Sequence, residues 1–329
     1  MRVLVTGATG FIGRHLVRTL ISEGNFCRCL VRRTSDPSRL KDLGAEIFSG
    51  DLNDSKSLQG IAKDIDVVHH LAAEGHVSAV SDDDNKRFNR INVQGTENLA
   101  KECLNASIRK FVHFSSTAAM GLINKPMIDE STPCEPTTPY QISKFDSEEK
   151  ILSFWKEHDL PALVLRPCLV YGPGGGNEFL KLCRLIKKGL FPRIGKGLNL
   201  MPMVHVKDVV DAALMAAHKG NPGEIYLAAS ESSFQMEYIR KLILEAMGIK
   251  RPYIYIPKSC AIIGAGIIEQ VAWILKVTPI VTRKNIESTV TDRRIDISKA
   301  KRELGYRPSV GIESGISESV QWYLQRGLL

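Results

Sequence analysis

Three side chains have the types and spacing for one piece of chemistry: Ser116, Tyr140 and Lys144. A tyrosine hydroxyl is a poor base near neutrality, because its ordinary pKa is about 10. A lysine ammonium four residues on, on the same helical face, stabilises the phenolate. Tyr140 can then take a proton from a substrate hydroxyl as hydride leaves the carbon, or return one in reduction. Ser116, at the end of a neighbouring strand, can hydrogen-bond the same oxygen and hold it in line. With one nicotinamide, this trio suffices for hydride transfer at a carbinol or keto carbon. A YxxxK pair alone is common by chance, and a cofactor-binding regulator without catalysis would need none of the three. The elements around them decide its weight.

The chain opens with MRVLVTGATGFIGR, an apolar strand at Val3–Val5, a turn with Gly7, Gly10 and Gly13, and a helix over 15–22. Strand, glycine turn and helix form a dinucleotide-binding arrangement, in which the glycines let backbone approach a pyrophosphate at the helix N-terminus. The spacing is GxxGxxG rather than GxGxxG, and the alternative is a packing turn. A second strand, 26–31, ends at Val31 with Arg32 and Arg33 behind it. An Asp or Glu there would bind a ribose 2′-hydroxyl, whereas an arginine fork suits a 2′-phosphate, so NADP is expected and NAD is the alternative. Two exposed loop arginines would look the same.

A third strand, 46–49, is closed by Gly50, Asp51 and Leu52; Asp51 either meets an adenine amino group or caps the helix near Asp54. A fourth, 67–71, ends in Ala72 and Ala73, small enough for a cofactor to approach, while His69 and His70 read as structural. An acidic surface loop at 82–84 and a long helix over 87–105, with Asn92, Gly95 and Asn98, come next. The fifth strand, 111–114, delivers Ser115, Ser116 and Thr117 to its carboxyl end, where open parallel sheets bind ligands. After a Pro-rich loop at 118–137, Thr138 and Pro139 are suited to cap and open the helix that carries Tyr140 and Lys144. The sixth strand, 163–165, leads into a glycine run at 171–176.

The expected fold is α/β: a Rossmann doubly wound parallel sheet with a smaller, mostly helical C-terminal substrate domain. Residues 1–171 form the dinucleotide-binding domain, with return segments near 204–228, and 172–203 with 229–329 form the substrate domain.

The 329 residues are 43% hydrophobic and 24% charged, as in an ordinary soluble protein. The longest uncharged apolar run, Cys260–Ile268, is far shorter than the roughly 20 residues of a spanning helix. A chain that begins on a core strand is expected to have no secretory leader. Seven cysteines without a CxxC pair point to a reduced, cytoplasmic, metal-free protein. The net charge of +8 divides as −1 over residues 1–150, with 19 Lys+Arg against 20 Asp+Glu, and +9 over the rest. That excess suits an anionic substrate, a membrane surface or simply a solvated basic face. No basic-aromatic interleaving argues for nucleic acid.

TGATGFIG at 6–13, GDL at 50–52, HLAA at 70–73, NVQGTENL at 92–99, FSS at 114–116, YQISK at 140–144 and RPCLVYGPG at 166–174 occur in order. Together with DISKAKRELGYRP at 296–308, this set resembles the extended short-chain dehydrogenase/reductase family, the NAD-dependent epimerase/dehydratase group. The resemblance covers nearly the whole chain. It implies that Ser116, Tyr140 and Lys144 are catalytic. Gly7, Gly10 and Gly13 would meet the pyrophosphate, with Thr9, Phe11 and Ile12 supplying backbone at the turn. Asp51 and Leu52 would meet the adenine, Arg32 the ribose end, and Leu71, Ala72, Ala73, Asn92 and Ser115 the rest of the cofactor. Pro167 to Val170 would line the nicotinamide, which Tyr140 and Lys144 would also touch. A homodimer through helices that include 89–105 and 140–157 is implied as well.

On substrate the resemblance divides. Val31-Arg32 is similar to the dihydroflavonol-reductase-like branch, and the apolar stretch 256–282 to 3β-hydroxysteroid-dehydrogenase-like members, where peripheral membrane contact is a further expectation. The Arg-Asp pair that nucleotide-sugar members usually carry is missing from 198–202. RIGKG at 193–197 and the basic second half suit a nucleotide-sugar, with Lys181, Arg193 and Arg293 or Arg294 supplying charge. The leading expectation is an NADP-preferring oxidoreductase acting on a largely apolar, polyketide- or sterol-like substrate. The alternative is a nucleotide-sugar 4-epimerase or dehydratase that keeps NAD bound.

Overall fold

The apolar runs of the first half pair side by side as parallel strands: β1 (Arg2–Thr6), β2 (Phe26–Val31), β3 (Glu46–Ser49), β4 (Val67–His70), β5 (Lys110–Phe114) and β6 (Ala162–Pro167). Four short strands follow outside that sheet, β7 (Leu169–Tyr171), β8 (Arg193–Ile194), β9 (Leu200–Met201) and β10 (Met203–His205). β11 (Ile225–Ala228) returns to it, and β12 (Phe234–Gln235) and β13 (Tyr255–Ile256) complete the set. In this computed structural model the chain is described except for residues 76–81, 124, 126, 176, 253, 276, 278 and 280, and the side chains of 82, 83, 177, 284, 285 and 288. One residue of the expected glycine run, Gly176, and three of the apolar stretch 256–282 therefore lie outside the described residues.

The main sheet has the order β3-β2-β1-β4-β5-β6-β11, and each neighbouring pair is parallel. Strand order reverses between β1 and β4, which makes that crevice the place where an open α/β sheet binds ligands. Strands buried on both faces read as continuous apolar runs. Val3 and Val5 point into one core with Leu16, Val17, Val209 and Ala213, while Leu4 points into the other with Val68, Leu99, Phe111 and Ile151.

The helices that cover the sheet are α1 (Phe11–Ser22), α2 (Ser38–Asp42), α3 (Asp82–Phe88), α4 (Gly95–Leu104), α5 (Pro139–His158), α6 (Asn177–Lys188) and α7 (Val206–Lys219). Asp82–Asp84, expected as a loop, instead opens α3. The single helix expected over 87–105 is divided: a wide π turn at Asn89–Gln94 joins α3 to α4. Beyond the sheet lie α8 (Met236–Met247), α9 (Lys258–Ile274), α10 (Arg283–Val290) and α11 (Ile312–Gln325). Phe179, Ile186, Ile243, Ile316 and Tyr323 of α6, α8 and α11 close a third core with Tyr171. Ile297, Ala300, Leu304 and Tyr306, expected in the substrate domain, pack into the sheet's own core with Val209 and Tyr226.

Helix α5 is built to hold a fixed position. Thr138 accepts from the Gln141 backbone while the Gln141 side chain accepts from the Thr138 backbone, and Pro139 takes the first helical position. Further along, Glu148 and Arg166 of β6 form a buried ion pair, with Nε 2.9 Å from Oε1 and 3.1 Å from Oε2. Removing one partner of such a pair leaves an uncompensated buried charge, which costs about 3–5 kcal/mol. Glu148→Ala should therefore lower unfolding free energy by that amount in urea titration, and a loss below about 1 kcal/mol would show that water already screens the pair.

Candidate active site

The crevice between β1 and β4 is held by a short chain of buried polar groups. Thr6 Oγ1 lies 2.7 Å from His70 Nδ1 and accepts from the Ala72 backbone at 3.1 Å. His70 Nε2 reaches Thr96 Oγ1 of α4 at 2.8 Å. Burial pulls the His70 pKa down to about 3, and nearby Lys144 adds to that, so the ring is neutral and structural.

The glycines serve this close packing. Gly7 has φ +68°, and a Cβ there would sit 2.7 Å from the Ala72 nitrogen; a Cβ on Gly13 would sit 2.2 Å from Gly7 O. Gly10 precedes α1 without a side-chain cap, which leaves first-turn N–H groups available to an anion.

Gly7, Thr9, Gly10, Arg32, Asp51, Leu52, Leu71, Ala72 and Ala73 line one cleft of about 240 Å³ together with Ser35, Asn53, Glu74 and Ile91. Phe11, Ile12 and Gly13 form the first turn of α1 beside it. Of the two roles open to Asp51, capping belongs to Asp54, which accepts from Lys56 N at 3.2 Å. Asp51 Oδ1 accepts instead from Asn53, at 2.9 Å and 3.0 Å.

Asn92 is buried away from the cleft wall. Its amide accepts from Glu74 N at 2.7 Å and donates to Ser143 Oγ at 2.9 Å. In this structure, then, it braces the β4 loop against α5.

β5 and α5 bring the catalytic candidates to the same edge. Ser116 accepts from Ala118 N at 3.1 Å as the cap of a 3₁₀ turn over Thr117–Met120, and its hydroxyl sits beside the Tyr140 side chain. Burial raises the Tyr140 pKa, the Ser116 contact lowers it, and the charge of Glu178 raises it again. Lys144 is buried one turn further along α5 and donates to Phe114 O at 2.7 Å. Its burial pulls the pKa down to about 8, against the opposing pull of Glu148. Ser115 Oγ is buried with no partner among the described residues.

A glycine cradle that any Cβ would fill, an uncapped helix start and an unpaired buried hydroxyl together fit a dinucleotide. Pro167 ends β6, and Val170 of β7 pairs with Val204, at the far side of this edge.

A second cleft, of about 300 Å³, opens beside Leu169 and is lined by Leu182, Phe191, Met201 and Met236, with Glu178 and Arg293 as its charged groups. Among the charges expected for a nucleotide-sugar, Arg293 lies there, whereas Lys181 pairs with Glu178 on the surface and Arg193 donates to Lys196 O. Glu178 was absent from the sequence-level set. It follows the glycine run on α6, where no spacing ties it to Tyr140.

The sequence profile of the NAD dependent epimerase/dehydratase family matches residues 3–229. The chain is 29% identical over 341 residues to the sterol demethylase protein B of Methylococcus capsulatus, covering 100% of both. The crystal structure of gox2253 superposes with a TM-score of 0.84 at 30% identity, covering 99% of each chain. DesIV, a dTDP-glucose 4,6-dehydratase from Streptomyces venezuelae solved with NAD and TYD bound, superposes with a TM-score of 0.80 at 27% identity, covering 99% of this chain and 98% of that one.

Two outcomes follow from the geometry. Tyr140→Phe should cut turnover about 10²- to 10⁴-fold, the usual contribution of a positioned acid–base group, with cofactor affinity kept in a binding titration. The second concerns pH. Lys144 loses its proton near pH 8 when folded, whereas an unfolded lysine keeps it to about 10.5. Between those values the unfolded state binds more protons, so stability rises with pH across that window. Below it, burying the ammonium costs about 3 kcal/mol. Urea unfolding from pH 7 to 10.5 should show this rise in the wild type and lose it in Lys144→Met.

Proposed function

We propose an activity from one premise: the chain belongs to the NAD dependent epimerase/dehydratase family and is a nicotinamide-dependent enzyme, a dehydrogenase/reductase or an epimerase. The activity proposed is that of an NADP-preferring oxidoreductase acting on a hydroxyl or ketone of a largely apolar substrate. The observation that carries it is the placement of the Ser116 hydroxyl beside Tyr140, with Lys144 buried one turn away at the carboxyl edge of the sheet.

When bound, the nicotinamide supplies or accepts the hydride. The chain's own groups do the rest. Tyr140 moves the proton at the substrate oxygen, taking it in oxidation and giving it in reduction. Ser116 donates to that oxygen and keeps it in reach of Tyr140. Lys144, once charged, stabilises the phenolate through the field inside a buried site. The start of α1 would hold the pyrophosphate with its first-turn backbone N–H groups, and Gly7 and Gly10 leave room for that approach. Ser115 Oγ is available to an amide or hydroxyl of the cofactor, which would remove its lack of a partner.

Arg32 supports the preference for NADP. It lines the cofactor cleft where a ribose-binding carboxylate would stand, and it offers a guanidinium fork to a 2′-phosphate. The apolar wall formed by Leu169, Leu182, Phe191, Met201 and Met236 supports the substrate class. A second reading, a nucleotide-sugar 4-epimerase or dehydratase, is favoured by one observation, Arg293 in the same cleft. A homodimer through the outer faces of α4 and α5, where Ile142 is exposed, belongs to the same reading.

Mass spectrometry of the cofactor released from purified protein, followed by a panel of apolar ketones and nucleotide-sugars, tests the proposal. Net consumption of NADPH with an apolar ketone is expected. Interconversion of nucleotide-sugars without net cofactor turnover would replace it with the second reading. Arg32→Ala should weaken NADP binding about tenfold, or about 1.4 kcal/mol, and leave NAD binding within about twofold. An unchanged preference would remove Arg32 from the argument.

A further inference from the structure

Helix α9 is built with its faces reversed. A helix on a soluble domain normally turns its large apolar side chains inward and its small or polar ones outward. In the 17 residues of α9, Ala265 and Ala272 are the buried positions, seven residues and two turns apart. A Cβ added at Gly266 would sit 3.6 Å from the Arg283 side chain on that same inner side. The helix is fastened there by Glu269, which accepts from the Arg283 backbone at 2.8 Å and from Arg283 Nε at 2.7 Å.

The large apolar side chains point the other way. Trp273 is 80% exposed, Ile274 67%, and Ile263 and Leu275 64% each, and Ile267, Ile268, Val271 and Val277 are exposed with them. Single exposed apolar residues are ordinary, but eight within the fifteen residues 263–277 mark an interaction surface. Ile254 and Tyr255, before the helix, are exposed as well.

Charge decides what can cover this face. Residues 250–284 carry six Lys or Arg against one Asp or Glu. That one acid, Glu269, is already paired with Arg283. Lys250, Arg251 and Lys258 are all exposed. A two-fold contact between copies sets the same patch against itself, so these cations would repel across it. An anionic bilayer answers both features: the acyl region receives the apolar stripe, and the headgroups pair with the cations. Tryptophan is the side chain that prefers the boundary between the two. No helix among the described residues is long and apolar enough to cross a membrane, so α9 would lie in the boundary.

We propose that α9 and the basic residues flanking it dock this enzyme on an anionic membrane surface. The docked helix leads through α10 to the substrate cleft, since Thr289 of α10, and Thr291 and Arg293 just beyond it, line that cleft. Docking thus places the cleft wall near the lipid. It requires neither NADP nor any particular substrate, and it stands apart from the activity proposed above.

The test is co-sedimentation of the full chain with vesicles of phosphatidylcholine alone and of phosphatidylcholine mixed with phosphatidylglycerol. Binding to the mixed vesicles should exceed binding to the neutral ones at least about tenfold, and high salt should weaken it. Two variants separate the contributions. Ile267→Gln/Ile274→Gln, both exposed positions, should abolish binding, and Lys250→Gln/Lys258→Gln should reduce it about tenfold. Unchanged thermal transitions and NADP(H) affinity certify the fold of each. Equal binding to both vesicle types, no binding to either, or binding retained by the isoleucine variant would overturn the proposal. So would sedimentation as a stable dimer that the isoleucine variant dissociates, because a second copy would then be the occupant.

Discussion

The close approach of two strand ends sets the terms for everything else in this molecule. Gly7 behind β1 and Ala72 behind β4 meet with no room for a Cβ between them. Thr6 and His70 lock that approach from inside, and Thr96 ties it to α4. Because the strand order reverses here, chain leaves the sheet in opposite directions on either side, and a crevice opens that helix packing cannot fill. A parallel sheet buried on both faces then leaves its carboxyl edge as the place where polar backbone can meet a ligand.

The edge that gathers Ser116, Tyr140 and Lys144 depends on a second constraint, the fixed position of α5. Its capping box fixes the start, and the buried Glu148–Arg166 pair fixes the middle to β6. Lys144 lies between these anchors, almost fully buried. That burial keeps its pKa near 8, so a small change in local field decides whether it is charged. A nearby positive charge would push the Lys144 proton off, whereas a phenolate on Tyr140 would hold it. Glu148, whose charge opposes the loss of that proton, serves fold and chemistry through one carboxylate.

The C-terminal third serves two cores at once. Residues 297–306 seal the sheet, while α6, α8 and α11 enclose a separate cluster around Tyr171 and Phe179. The cleft beside Leu169 draws on several of these pieces, including Glu178, Met236 and Arg293. Such a wall can change its chemistry without disturbing the cofactor crevice, which is how one hydride-transfer scaffold accommodates different substrates.

What the amino-acid order determined by itself was local. The glycine turn, the β-branched runs, the Thr138–Gln141 cap and the Ser116, Tyr140 and Lys144 spacing are each written within a few residues, because backbone geometry and helical period act at that range. Resemblance to a known family extended that reading to the whole fold. Tertiary structure decided whatever depends on neighbours far along the chain. It committed Asn92 to Glu74 and Ser143, placed Glu178 near Tyr140 and Arg293 in the substrate cleft, and divided the expected long helix at Asn89–Gln94. It also turned the large side chains of α9 outward. Periodicity could not have foreseen that, since a helix apolar on nearly every side has no inner face until something packs against it.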